Sequence, residues 1–301
     1  MMDEYVGCQI KRVNKKCIII YQSDLLNKLK RIFEEDIKDL KYREMPFGSN
    51  NRITRPKDGE KLISKEEQTR YRSGIGMLLY LVKYSIPDLS NAVRELSKVN
   101  SGATSNYVRS LLCVVKFALD MRNKGLVYRI KGEYNENNWT LKAFSNSDWA
   151  GDADDRRNIT CFCIFVNDCL ILWKSRGRKI VTLSLSEAEY VVMSKVCTEI
   201  LFIKPIMDFL QLKVKLPITI MCHNIGAIFI AHNSKKSGRT KHINIKHHFI
   251  REYIIDWMVQ IKFVWSEENL GDPFTKNVSG DSYLKNSKTY LENIEESDEL
   301  N

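Results

Sequence analysis

Four short segments of the chain carry the residue types that metal-dependent phosphodiester hydrolysis needs. They are Phe144-Ser145-Asn146-Ser147-Asp148-Trp149-Ala150-Gly151, Ser186-Glu187-Ala188-Glu189-Tyr190, Met221-Cys222-His223-Asn224 and Asn269-Leu270-Gly271-Asp272. The reaction requires several carboxylates converging on two cations about 3.5 to 4 Å apart, one activating water and the other stabilising the leaving oxygen. Acids on separate segments are therefore the pattern expected, and Asp148, Glu189 and Asp272 supply three. Asn146 offers a neutral carbonyl and His223 an imidazole.

Each segment must be placed by an element. A strand from Trp139 to Asp148 puts Lys142, Phe144, Asn146 and Asp148 on one face, because successive side chains alternate. Glu189 lies on the helical stripe of Met193, Val196, Ile200, Ile203 and Met207, so its carboxylate should lean toward a sheet. Ser186-x-x-Glu189 also reads as a capping box, in which Glu189 serves the helix end instead. Pro217 to His223 reads as a buried strand ending in a histidine, followed by Asn224 as the cap of Ile225 to Ala231; a hydrogen-bonded structural histidine is the plain alternative. Asp272 before Pro273 is equally a common helix start.

The bulk numbers suit an ordinary globular protein: 301 residues, 44% hydrophobic and 28% charged. No apolar run approaches the roughly 18 residues of a membrane helix, so a soluble intracellular protein, cytoplasmic or nuclear, is expected. The eight cysteines have no C-x-x-C spacing and support neither a zinc site nor a disulfide framework. A net charge of +10 favours a polyanionic partner. Residues 1–45 read as a hairpin (Tyr5 to Tyr21) and a helix from Ser23, 46–65 as a linker, 66–125 as helical, 126–280 as α/β, and 281–301 as an acidic tail with a disordered composition.

Taken together, the segments resemble the ribonuclease H domain of copia-type retrotransposon Pol polyproteins. The family pattern runs SDADWAGD, a Trp-Lys-Ser strand, S-T-E-A-E-Y, C-D-N, RTKHI with HFIRE, and D-x-x-T-K. In the same order stand Ser145 to Asp152, Trp173-Lys174-Ser175, Leu185 to Tyr190, Cys222-His223-Asn224, Arg239 to Ile243 with His248 to Glu252, and Asp272 to Lys276. Upstream, Tyr5 to Ile10, Tyr71-Arg72-Ser73, Leu78 to Leu81 and Pro87-Asp88 are similar to the region after the family's polymerase palm. The resemblance implies a ribonuclease H-like α/β fold, a mixed five-stranded sheet with flanking helices, preceded by a mainly helical thumb and connection region with an N-terminal hairpin. It also implies Mg2+ or Mn2+ as cofactor, RNA/DNA hybrid or other nucleic acid as partner, and other parts of a Pol polyprotein as neighbours, with no membrane. No Tyr-x-Asp-Asp polymerase motif is present.

Carried over position by position, the family's catalytic and metal-binding acids fall on Asn146, Glu189, His223 and Asp272, so two of four are degenerate. Magnesium prefers hard oxygen ligands, and histidine suits zinc or copper better. Asp148 is the candidate substitute ligand, although one strand repeat displaces it by about 7 Å, and misplacement of about 1 Å can cost a hundredfold in rate. Impaired catalysis is the expectation; the alternatives are an active nuclease with an altered metal site, and a non-catalytic nucleic-acid-binding or assembly module domesticated from a transposon. Two basic clusters would track phosphates: Lys174, Arg176, Arg178 and Lys179, then Lys235, Lys236, Arg239 and Lys241.

Overall fold

Strand-period and helix-period segments alternate along the chain in the computed structural model, which describes residues 3–47, 52–131, 138–149, 151–152, 154–177, 182–233 and 248–295. Two units result, one formed by residues 1–129 with 276–301 and the other by 130–275.

The first unit opens with β1 (Glu4–Tyr5), β2 (Cys8–Asn14) and β3 (Cys17–Tyr21), the expected hairpin. Helix α1 (Ser23–Ile37) follows, with Gln22 rather than Ser23 at its cap and no side-chain cap bond; the Ser23 N–H is used by the Gln9 side chain. Helix α2 (Lys65–Tyr84) starts at a full capping box of Ser64 and Glu67. Its Gly74 permits a close helix approach, since a Cβ there would stand 2.9 Å from the Phe33 ring and 3.2 Å from Leu111. Helices α3 (Ser90–Ser97) and α4 (Ser105–Asp120) and strand β4 (Lys124–Arg129) complete this stretch.

The second unit is built on β5 (Leu141–Asp148), β6 (Ile159–Val166), β7 (Cys169–Gly177), α5 (Leu185–Phe209), β8 (Ile218–Cys222), α6 (Ile225–His232), α7 (Ile250–Ile255), β9 (Val259–Phe263) and the short α8 (Asp272–Thr275). The sheet order is β7-β6-β5-β8-β9. Strands β5, β6 and β7 run antiparallel, whereas β8 and β9 are parallel to β5, so the expected mixed five-stranded sheet is present. A two-residue turn, Asn167-Asp168, joins β6 to β7 with φ of 46° and 64°, values these two residue types tolerate. One face of this sheet (Leu141, Ala143, Phe162, Ile164, Ile218 and Ile220) packs against α5 through Tyr190, Met193, Val196 and Ile200.

The chain then returns to the first unit through α9 (Gly280–Ser287) and β10 (Leu291–Asn293). Strand β10 pairs with β4, closing a sheet in the order β1-β2-β3-β4-β10. Three expected boundaries therefore move. Residues 124–129 join the first sheet, because β4 lies between β3 and β10, so the α/β unit begins at 130. The segment expected as a linker is anchored by buried Phe47 and Ile53, and the Ile53 N–H donates to Glu95 Oε2 at 3.2 Å. The acidic segment contributes β10 because Leu291 and Tyr290 are buried, while 296–301 lie outside the described residues.

Asp88, in the 3-10 turn Pro87–Leu89, fastens the returning segment: both Tyr283 and Tyr290 donate their hydroxyls to its carboxylate. Burial pushes Asp88 up from 3.8 to about 6, against the lowering effect of the two tyrosines and of Lys124. Between these two values the folded chain keeps a proton that the unfolded chain releases, so this group's stabilisation is full below about pH 4 and is lost as pH rises through 6. Asp88→Asn should remove that loss. The wild-type minus variant difference in unfolding free energy, followed by far-ultraviolet circular dichroism in urea, should change by about 2 kcal/mol between pH 4 and 7, and an unchanged difference would refute the assignment.

Candidate active site

Helix α5 begins at Ser184, whose hydroxyl accepts the Glu187 N–H at 3.2 Å, while the Glu187 carboxylate reaches back to the Leu183 N–H at 2.8 Å. Capping thus belongs to Ser184 and Glu187, two residues earlier than the alternative pair Ser186 and Glu189. Trp149 Nε1 and Asn158 Nδ2 donate to Thr182 O and Oγ1, which steadies the chain entering the helix. Glu189 is left fully buried and turned to the sheet, where its Oε1 accepts the Ser147 N–H at 2.7 Å.

Asn146 projects from the opposite face of β5, because its neighbours Ser145 and Ser147 lie on the α5 side. Helix α8 packs there, held by Ser175 Oγ donating to Phe274 O at 2.6 Å. The Asn146 amide nitrogen donates to Asp272 Oδ1 and, at 2.7 Å, to Thr275 Oγ1. Ser266 Oγ donates to the other Asp272 oxygen at 3.1 Å. Gly271 runs close beneath, so close that a Cβ would stand 3.3 Å from Asn146 Cβ.

His223 follows the last residue of β8, and its Nε2 lies 3.8 Å from Glu189 Oε1. Asn224 caps α6 as expected, accepting the Ala227 N–H at 2.8 Å. Burial, helped by the charge of Glu189, pushes the neighbouring Cys222 thiol up to about 12, so it remains a neutral thiol at ordinary pH. The four positions singled out by the resemblance are thereby brought together as two contacts, Asn146 with Asp272 and His223 with Glu189.

Asn269 joins the two. Its Nδ2 donates to Ser145 O at 3.0 Å and lies 3.4 Å from His223 Nδ1, while its Oδ1 accepts the Gly271 N–H at 3.0 Å. The residue is buried, and reading for acids passed over it. Its signal was the Asn-x-Gly spacing just before Asp272, a local turn in which an Asn side chain bonds the backbone two residues on.

Asp148 ends β5 with its side chain over Gly151, where a Cβ would overlap the carboxylate at 2.1 Å. Among the described residues no three His, Cys, Asp or Glu side chains gather closely enough to hold a metal ion. Of the eight basic residues expected to track phosphates, Lys174 and Arg176 are exposed on β7, and Lys174 pairs with Glu199 of α5 at 3.3 Å. Through their pairing with Phe162 and Thr160 they share the face of Ser145 and Ser147. Arg178, Lys179, Lys235, Lys236, Arg239 and Lys241 lie outside the described residues. Lys142 and Lys262, which the sequence reading did not include as nucleic-acid contacts, are exposed on the face of Asn146, with Lys142 Nζ 5.0 Å above the Phe144 ring.

No protein-family model matches the chain. It is 31% identical over 213 residues, 71% of its length, to the retrovirus-related Pol polyprotein from transposon RE1 of Arabidopsis thaliana. It is 27% identical over 208 residues, or 69%, to that from transposon TNT 1-94 of Nicotiana tabacum. The chain belongs to the Pol polyproteins of copia-type retrotransposons. It spans 14% and 15% of the lengths of those two polyproteins. A third relative, the secreted RxLR effector protein 161 of Plasmopara viticola, is 30% identical over 129 residues, which cover 43% of the chain and 87% of the effector. No helix among the described residues of this Pol fragment is long and apolar enough to cross a membrane.

Replacing Asn269 by alanine should leave the Ser145 carbonyl and Gly271 N–H without their buried partner, at a cost of about 3 kcal/mol. All five tryptophans of the chain fall between positions 139 and 265, within the second unit, so their fluorescence in urea reports it directly. A variant as stable as the parent would show that Asn269 does not join the two contacts.

Proposed function

We propose that the 130–275 unit is a ribonuclease H-like domain of a copia-type Pol polyprotein, and that its inherited activity is metal-dependent hydrolysis of RNA in RNA/DNA hybrids, now catalytically impaired. The observation that carries this reading is the Asn146 amide against Asp272: a donor faces the carboxylate where the family pattern has a second acceptor. Support for the fold comes from the mixed sheet with β5 at its centre, and from the placement of all four family positions around the end of that strand. Asn146 and His223 do not fit a pair of magnesium ions, since one turns an amide nitrogen inward and the other offers imidazole nitrogen.

What the chain's own groups do is bind and exclude. Glu189 accepts the Ser147 N–H, and Asp272 accepts from Asn146 and Ser266, so both acids are engaged by donors of the chain itself. Nucleic-acid binding rests on the net charge of +10 and on exposed Lys142, Lys174, Arg176 and Lys262. Phosphate contacts of this kind weaken steeply with salt. A second reading, a non-catalytic module, is favoured by the effector relative, a short protein matched over 87% of its length by a stretch of this chain. An altered site using Asp148, Glu189, Asp272 and His223 with manganese or zinc is the third.

Incubation of a labelled RNA/DNA hybrid with the chain in magnesium or manganese should give no cleavage above background. The Asn146→Asp plus His223→Asp double revertant should cleave at least about a hundredfold faster, and adding Glu189→Ala should abolish that gain, as expected where groups act through one metal site. Cleavage by the parent chain would refute impairment. Hybrid affinity should fall linearly in log-log coordinates as salt rises; a flat response would remove the electrostatic case.

A further inference from the structure

We propose that the Asn146 carboxamide does the structural work of a divalent cation at Asp272, so that the 130–275 unit reaches its fold without one. The inference rests on the reading of this pocket as a former two-metal site. It deepens that reading by assigning what occupies the electrostatic role of the ion.

Both Asp272 oxygens receive hydrogen-bond donors from the chain itself: Asn146 Nδ2 on Oδ1, and Ser266 Oγ on Oδ2 at 3.1 Å. The second amide hydrogen of Asn146 serves Thr275 Oγ1 at 2.7 Å, and Thr275 in turn donates to Asp272 O at 2.7 Å. Asn146 and Asp272 are 3% and 6% exposed, so water contributes little to either. An aspartate at position 146 would have nearly the same shape but only acceptors to offer. Two carboxylates would then meet in a buried pocket, which is tolerable only with a proton or a cation between them.

The other degenerate position follows the same rule. His223 replaces an acceptor-only group with one whose ring N–H can donate, and its Nε2 lies 3.8 Å from Glu189 Oε1. At the first place a donor is hydrogen-bonded to the acid that remains; at the second, a ring nitrogen lies near the remaining acid without bonding it. Loss of the carboxylates and independence from metal are thus one change rather than two.

The test is thermal unfolding of the full 301-residue chain, followed by tryptophan fluorescence, in chelator and in millimolar magnesium or manganese chloride. The parent should melt at the same temperature in both. Asn146→Asp in chelator should melt roughly 5 to 10 °C lower, a shift of the size expected for a lost charge-assisted bond in a domain of this length. Magnesium should restore at least half of that loss. Asp272→Asn should lower the melting temperature of the parent yet raise that of Asn146→Asp, because it removes the charge that strengthens a bond in one background and a repulsion in the other. If Asn146→Asp does not fold in any buffer, recovery of folding on adding Asp272→Asn supports the proposal and failure to recover overturns it. A parent stabilised by magnesium by several degrees, or Asp272→Asn acting with the same sign in both backgrounds, also overturns it. A parent that cleaves hybrid while ignoring magnesium in the melt would sink the impairment reading alone; one that does not cleave but is stabilised by magnesium would sink only the present proposal.

Discussion

A carboxylate taken out of water must be met by a donor or a cation, and that requirement organises the end of β5. Asp272 is buried and satisfied by Asn146 and Ser266; Glu189 is buried and satisfied by the Ser147 backbone. Everything around these two acids serves to keep their donors in place. Helix α5 must start at Ser184 for Glu189 to reach the strand, and α8 must lie against β6 and β7 for Asp272 to reach Asn146. An unpaired buried charge costs several kcal/mol, more than any single packing contact nearby could offset. The positions of the two helices are therefore not independent of the chemistry of the two acids.

The two acids approach from opposite faces of the sheet, and the strand between them is the mechanical link. Ser147 offers its N–H to Glu189 where the ladder with β8 has already ended, while Asn146 turns its side chain to α8. Asn269 adds a second link by holding the Ser145 carbonyl and the Gly271 amide at once. A shift of one residue in the β5 register would exchange the two faces and break every one of these contacts. The eight-residue antiparallel pairing of β5 with β6 guards against such a slip.

Much of this was legible from residues alone, and the failures have physical causes. Alternation in Trp139 to Asp148 gave β5, which begins two residues later at Leu141, and its faces; the stripe of Met193, Val196 and Ile200 correctly turned Glu189 inward. Asn224 announced its helix by type and position. The alternative cap of α5 at Ser186 stood open because Ser184 and Ser186 both precede a glutamate at the right spacing, and spacing cannot say which serine adopts the extended backbone of a cap. The first unit's boundaries were missed for another reason. Pairing of β4 with β3 and of β10 with β4 is non-local, and a strand's own pattern never names its partner. Asn269 was passed over because its work is done through backbone groups, which carry no residue signature.

The same physics separates what a sequence inherits from what it retains. A fold can persist at about 30% identity because packing tolerates conservative change so long as volume and pattern persist. Acid identity answers to a narrower demand. Asparagine keeps the volume of aspartate and reverses the hydrogen-bonding role of one atom, so the core around Asn146 is closed with Asp272 already met by a donor; on the proposal above, that donor stands where a cation would otherwise be needed. On that proposal a fold outlasts its metal without any visible scar in its secondary structure. The place to look for such a change is the hydrogen-bond role of single buried atoms, where one nitrogen in place of one oxygen decides whether the remaining acids still call for an ion.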